Sequence, residues 1–284
     1  MPTVLTVGSL HYDIMVETDH LPRRDETAIG SRWYPKFGGK GGNQAAAVAR
    51  AGGGSRMVGA IGDDAFGQFL SGTLRDRGVD ARFVATLPGV GSGMSVALQD
   101  RAGDYAATIV SGANLHIDPQ TLDDPAVWAD VTLLILQNEI PEAVNLAAAR
   151  QARLRGLPTL LNAAPYRPLP ADLAALIDVL IVNAVEAEMM GTAPVTDLPS
   201  AAAAAQALSA RFAAVVVTAG GQGLAFCQSG QSVTIPAEPV PVVSTHGAGD
   251  AFVGMLAAQM AQGQGLDTAC RAASHAAARH VAGL

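Results

Sequence analysis

Two glycine-rich stretches hold the residues best placed to do chemistry. In STHGAGDAFVGMLAAQM, Gly247, Ala248 and Gly249 run directly into Asp250 and a long apolar segment. Free backbone amides at the start of a helix, backed by the helix dipole, favour a phosphate. A carboxylate just behind such a nest of amides stands where a base would stand. The pairing suits phosphoryl transfer to a hydroxyl, which requires the hydroxyl to be oriented, its proton removed and the charge on the transferred group stabilised. Asp250 fits the first two tasks, and the amides of Ala248, Gly249 and Asp250 fit the third. The competing explanation is structural, because Asp is also a common helix N-cap.

The second stretch, FGGKGGNQAAAVARAGG, sets Gly38, Gly39, Lys40, Gly41, Gly42 and Asn43 ahead of an alanine-rich run. Glycines are common in turns for conformational reasons alone, but the lysines add something. Lys36 and Lys40 are the only two in the chain, and both sit beside this loop. In a sequence that otherwise uses Arg, a retained Lys points to a compact charge wanted there. Neither GxxxxGK[ST] nor a GxGxxG after the first strand occurs, which disfavours a P-loop enzyme and a Rossmann dehydrogenase.

The elements that must position these loops follow from the apolar pattern. Short β-rich runs at 3–10, 56–62, 131–137, 158–164, 179–183 and 213–220 read as buried parallel strands. Segments 42–52, 64–78, 141–155 and 199–210 have the length and composition of helices, the alanine tract at 200–210 included. This alternation predicts a doubly wound α/β fold, a mostly parallel sheet flanked by helices, as one domain over 1–284. Ligands bind such sheets where the strands end. Regions 11–35 and 91–112 instead alternate apolar and polar residues around turn signals. They predict hairpins that join into a small β-sheet lid over one end of the main sheet, with plain surface decoration as the alternative.

Composition narrows the partners. A formal net charge of −7 and the lack of any Lys/Arg cluster argue against a nucleic-acid face or a membrane-surface helix, leaving a small molecule. The opening MPTVLTVGSL has no basic flank, and no window approaches the ~18 apolar residues of a membrane span, so a cytoplasmic location is expected. Cys227 and Cys270 stand far apart without a CxxC and read as buried free thiols.

Taken together, GGKGGNQ (38–44), NAVEAE (183–188), TAGGQG (218–223) and THGAGDAF (245–252) resemble, in identity and order, the ribokinase branch of the PfkB carbohydrate kinase family. The resemblance runs from about residue 3 to 282. It implies ATP-dependent transfer of the γ-phosphoryl to a primary hydroxyl of a pentose, ribose first, with Mg²⁺. Asp250 would be the general base and Gly247, Ala248 and Gly249 the anion hole. Asp13, Gly39, Lys40, Asn43 and Glu139 would contact the sugar, the glycine loop being bare so that backbone and Asn43 can close around its hydroxyls. Asn183 and Glu186 match an N-x-x-E element that organises the metal and phosphates through water. Thr218, Gly220, Gly223 and Gly249 would border the nucleotide, with Ser274 on a 266–280 helix near the adenine. The hairpins match a substrate lid that also supplies a dimer interface.

Taken singly, several of these residues have plain structural explanations: Glu139 a helix-start carboxylate, Asn183 a strand-end turn residue, Glu186 a solvated helix charge and Asp13 a hairpin polar residue. The sequence also departs from the family in three places. His11 stands where ribokinases tend to have Asn, and could still hydrogen-bond the substrate, which opens the acceptor to question. Ser244 replaces an Asp of the family's potassium site, and the chain ends at RHVAGL before the rest of the enclosing loop, which puts potassium activation in doubt. NAAPY (162–166) replaces an NPAP-like stretch, with an effect expected on packing more than on chemistry. Within the fold the rivals are a nucleoside kinase acting on adenosine or pseudouridine, and other sugar kinases of the family. From another class, a noncatalytic sugar- or nucleotide-binding protein would keep the fold, but the retained GAGD argues against it.

Overall fold

The computed structural model describes residues 1–284, the side chain of Tyr105 excepted. The chain starts in the middle of the large sheet with β1 (Thr3–Val7) and leaves it at once for two strands of a small sheet, β2 (His11–Thr18) and β3 (Gly30–Gly38). It returns through α1 (Lys40–Arg50), β4 (Gly54–Gly62), α2 (Ala65–Asp76) and β5 (Asp80–Leu87), and completes the small sheet with β6 (Met94–Asp100) and β7 (Tyr105–Val110). Short 3-10 turns over 112–128 lead to β8 (Val131–Gln137), α3 (Glu142–Leu154), β9 (Thr159–Asn162), α4 (Ala171–Ala174) and β10 (Val179–Asn183). The remainder runs α5 (Ala184–Met189), α6 (Leu198–Leu208), β11 (Ala214–Thr218), β12 (Gly223–Gln228), β13 (Gln231–Pro236), α7 (Ala248–Ala261) and α8 (Leu266–Val281).

The large sheet has the order β13-β12-β11-β10-β9-β8-β1-β4-β5, parallel except for β12 and β13. The sequence winds outward from β1 in both directions, so helices cover both faces, as the β-α alternation requires. Successive residues of β8 serve opposite cores: Leu134 and Leu136 pack with Val144 and Ala148 of α3, Leu133 and Ile135 with Phe252 and Leu256 of α7. A strand buried on both sides reads as the continuous run VTLLILQ. All six expected strands and all four expected helices are present, with ends shifted by a few residues.

Three strands lay outside the expectation. The edge strand β5 is only partly buried, so DARFVATL lacks the apolar density that marked the others. Strands β12 and β13 form an antiparallel hairpin at the opposite edge, turning at Ser229-Gly230, where both residues have positive φ.

The small sheet has the order β3-β2-β6-β7. Its two antiparallel hairpins, the expected lid elements, join through parallel pairing of β2 with β6, Tyr12 opposite Met94 to Thr18 opposite Asp100. Its base is fastened to the main layer. Tyr12 stacks on Phe66 of α2 with ring centroids 4.1 Å apart, and buried Asn114 exchanges two 2.8 Å hydrogen bonds with the backbone of Leu10.

Candidate active site

Asp250 lies in the first turn of α7 but does not cap it. The N-cap is Gly247, in the left-handed region at φ 83°, with no side-chain capping bond. The Asp250 carboxylate turns instead toward α1: Oδ2 accepts from Asn43 Nδ2 at 3.1 Å and Oδ1 from Gln44 Nε2 at 3.0 Å. At 7% exposure, burial pushes its carboxyl above the usual range, while the Lys40 charge and the two amide donors pull it back. The N-cap explanation of Asp250 therefore fails.

The approach of the two helices depends on Gly254, since a Cβ there would collide with Ala47. At the start of α7, the Ala248 amide donates to the Thr245 carbonyl at 3.2 Å and the Ala251 amide to the Gly247 carbonyl at 2.9 Å. Ala248 is thus withdrawn from the expected set of anion donors. The amides left without an acceptor among the described residues are those of Gly247, Gly249 and Asp250.

The glycine loop also has a packing reason to be bare. A Cβ on Gly41 would lie 2.5 Å from the Ser9 nitrogen, one on Gly39 would lie 2.8 Å from the His11 nitrogen, and one on Gly38 would overlap the Asp13 carboxylate. The loop is pressed against the β1–β2 connection, and glycine makes that contact possible. Gly39, at φ 86°, starts α1. The first amide of the helix, that of Lys40, donates to Glu139 Oε2 at 2.8 Å, and Ser9 Oγ donates to the same oxygen at 2.5 Å. Glu139 therefore caps α1 from a distant loop, with its other oxygen free of these bonds.

Next to it, His11 is 4% exposed, its Nδ1 4.0 Å from Glu139 Oε2 and its Nε2 without a partner among the described residues. Asp13 accepts from Ser95 Oγ at 2.6 Å, a bond from β6 to β2 across the lid. Burial raises the Asp13 carboxyl, opposed by the Ser95 bond and the His11 and His246 charges, and it lowers the Lys36 ammonium that pairs opposite Asp13 in the β2–β3 register.

Asn183 and Glu186 form a complete capping box on α5: Glu186 N donates to Asn183 Oδ1 at 2.8 Å, and Asn183 N to Glu186 Oε2 at 2.9 Å. The box explains the N-x-x-E spacing structurally, yet Glu186 is buried rather than solvated, and burial raises its carboxyl against the Lys40 charge. A cavity of about 250 Å³ brings Lys40, Asn162, Asn183, Glu186, Gly247 and Asp250 to one space. Lys40, expected among the sugar contacts, thus also lines the space where Glu186 and the amides of α7 converge. No three His, Cys, Asp or Glu side chains among the described residues cluster as a metal cage.

Thr218, Gly220, Gly223, Gly249 and Ser274 all line a neighbouring, largely apolar cavity of about 430 Å³, together with Val240, Val242 and Ala277. The five residues come from the end of β11, the turn before β12, α7 and α8, and the fold brings them to one pocket. A cavity of about 620 Å³ also borders Asn43 and Asp250, lined by Lys36, His246 and His280 among others. Sequence reasoning missed Gln44, Asn162, Ser9, Ser95 and His246. Gln44 was inside the glycine motif, but the signal for it, a buried amide aimed at Asp250, exists only in three dimensions.

A buried carboxylate behind open helix amides, flanked by a polar space that Lys40 and Glu186 line and by an apolar pocket, is an arrangement suited to moving a phosphoryl group onto a hydroxyl. The comparisons agree. The sequence is 32% identical to the ribokinase of Bacillus subtilis strain 168 over 283 residues, covering 99% of this chain and 93% of that one. It is 34% identical to the ribokinase of Mus musculus over 263 residues, 91% of this chain and 81% of that one. The structure of Arabidopsis thaliana ribokinase complexed with ribose and ATP superimposes with a TM-score of 0.89 at 30% identity, covering 99% of this chain and 92% of that one. The description "pfkB family carbohydrate kinase" fits residues 1–282, nearly the whole length, and the chain belongs to that family.

Proposed function

We propose that this carbohydrate kinase transfers the γ-phosphoryl group of ATP to the primary O5 hydroxyl of ribose. The observation that carries the reading is the Asp250 carboxylate, held by Asn43 and Gln44 directly behind the unpartnered amides of Gly249 and Asp250. Ribose would sit between the lid and the α1 loop, with Asp13, His11, Asn43, the Gly39 backbone and the free oxygen of Glu139 facing its hydroxyls. Asp250 would accept the O5 proton as the bond to phosphorus forms, and the α7 amides and Lys40 would stabilise the charge on the transferred group. The apolar pocket lined by Thr218, Gly223 and Ser274 suits an adenosine.

Magnesium commonly keeps several waters and relies on one or two carboxylates plus substrate phosphates. The residues present fit that mode, with the spare oxygen of Glu186 and the amide of Asn183 beside the 250 Å³ space. There the ion would neutralise phosphate charge. Ser244 Oγ accepts from the His246 amide at 3.3 Å, and with a hydroxyl in place of a carboxylate we infer turnover that does not need potassium. Exposed Trp33 of β3 and Ile109 of β7 support a homodimer built through the lid.

The test is an ATP-consumption screen with Mg²⁺, with and without K⁺, against ribose, fructose, adenosine and pseudouridine. Ribose turnover indifferent to K⁺ is expected. Turnover on a riboside alone would replace ribose by a nucleoside and assign buried His11 to the base.

A further inference from the structure

The base of this site is held by a buried amide relay that reaches into the next strand. Gln44 is fully buried on α1, and its Nε2 donates twice: to Asp250 Oδ1 at 3.0 Å and to Asn162 Oδ1, at the end of β9, also at 3.0 Å. Both partners are acceptors, so the amide has one workable orientation. Turned over, it would set its carbonyl against a carboxylate and a carbonyl. Asn162 is oriented in turn by its Nδ2 bond to the Ile181 carbonyl on β10, at 3.4 Å. The Gln44 carbonyl has no partner among the described residues, a cost the fold accepts here. A buried side chain that satisfies the catalytic carboxylate while leaving its own oxygen unsatisfied is positioned for the carboxylate, not for the helix that carries it.

We propose that Gln44, oriented by Asn162, is the positioning residue of the general base. It occupies Oδ1, so that Oδ2, shared with the more exposed Asn43, is the oxygen presented to the acceptor hydroxyl. A donor to a carboxylate also favours its charged form, so the Gln44 bond opposes the burial that pushes this carboxyl upward. On this account the asparagine of NAAPY, a stretch whose departure from the family was expected to affect packing more than chemistry, contributes to the chemistry. The inference rests on the reading of Asp250 as base.

The test is the pH profile of kcat/KM for ribose, with direct measurement of ribose binding, in Gln44→Met and Asn162→Ala. Met keeps the volume and removes the donor. The acid limb of kcat/KM reports the base in the free enzyme. Losing one hydrogen bond to a charged group should move that limb up by about 1–2 pH units in Gln44→Met, with kcat at neutral pH down by about tenfold or more and ribose affinity within about twofold. Asn162→Ala should move the limb in the same direction by a smaller amount, and it carries the test if Gln44→Met does not fold. A limb that stays in place in folded variants, whether or not the rate falls, overturns the inference. If that happens while Asp250→Asn is inactive, only the positioning role is lost. If Asp250→Asn is active, the base assignment itself fails.

Discussion

Asp250, Asp13 and Glu186 share an unusual condition: each is a carboxylate pushed upward mainly by burial, and each lies where a substrate, metal or phosphate would meet it. The sign of the stability linkage follows. A carboxyl whose folded pKa lies above its unfolded value favours the fold below the unfolded pKa and loses that contribution as pH rises through the folded one. Ionising the buried Asp250 therefore weakens the fold. Asp250→Asn should unfold at a higher temperature than the wild type at pH 7, and the gap should close below about pH 4, as thermal unfolding across pH would record. A gap independent of pH would contradict the burial argument. Glu186→Ala removes the α5 capping box and should cost about 0.5–2 kcal/mol, read from denaturant unfolding. It should also raise the Mg²⁺ concentration needed for half-maximal turnover. Glu186→Gln, which keeps an acceptor oxygen for the Asn183 amide, should recover most of the stability without restoring the metal dependence.

At the scale of elements, the site exists because α1 and α7 touch. Asn43 and Gln44 reach Asp250 only while Gly254 lets the Ala47 side chain pass close to the α7 backbone. Gly254→Val should push the helices apart, costing about 1–3 kcal/mol as overpacking does and lowering kcat more than that loss of folded protein explains. Activity per folded molecule equal to wild type would contradict the argument. The alternation of strand and helix was legible in the sequence because the central strands are buried on both faces and read as unbroken apolar runs. The edge strand β5 and the β12–β13 hairpin were not, because an edge position relaxes the pattern. The GAGD turn was legible as a motif at a helix start, and it does open α7, with Gly247 at φ 83° as the N-cap. The glycine loop was recognised as a motif, but its packing was not legible: Gly38, Gly39 and Gly41 also make room for the protein's own chain. Nor could spacing show that the Ala248 amide is consumed by Thr245, or that Asn162 stands one hydrogen bond from Gln44, which holds Asp250.

Across the whole molecule, the large sheet gathers strand ends beside the two cavities that border α7, and on the proposed reading the small sheet would close over the acceptor and exclude water that competes for the phosphoryl group. The outer lid carries apolar side chains such as Trp33 and Ile109, 64% and 59% exposed. Trp33→Glu combined with Ile109→Asp should shift sedimentation from dimer to monomer, and a wild type that sediments as a monomer would contradict the lid interface. The most direct test of the central claim is turnover and ribose binding measured side by side in Asp250→Asn. The account predicts a fall in kcat of about 10²–10⁴-fold, the contribution of a general base, with ribose affinity largely kept. Near-normal turnover would contradict it.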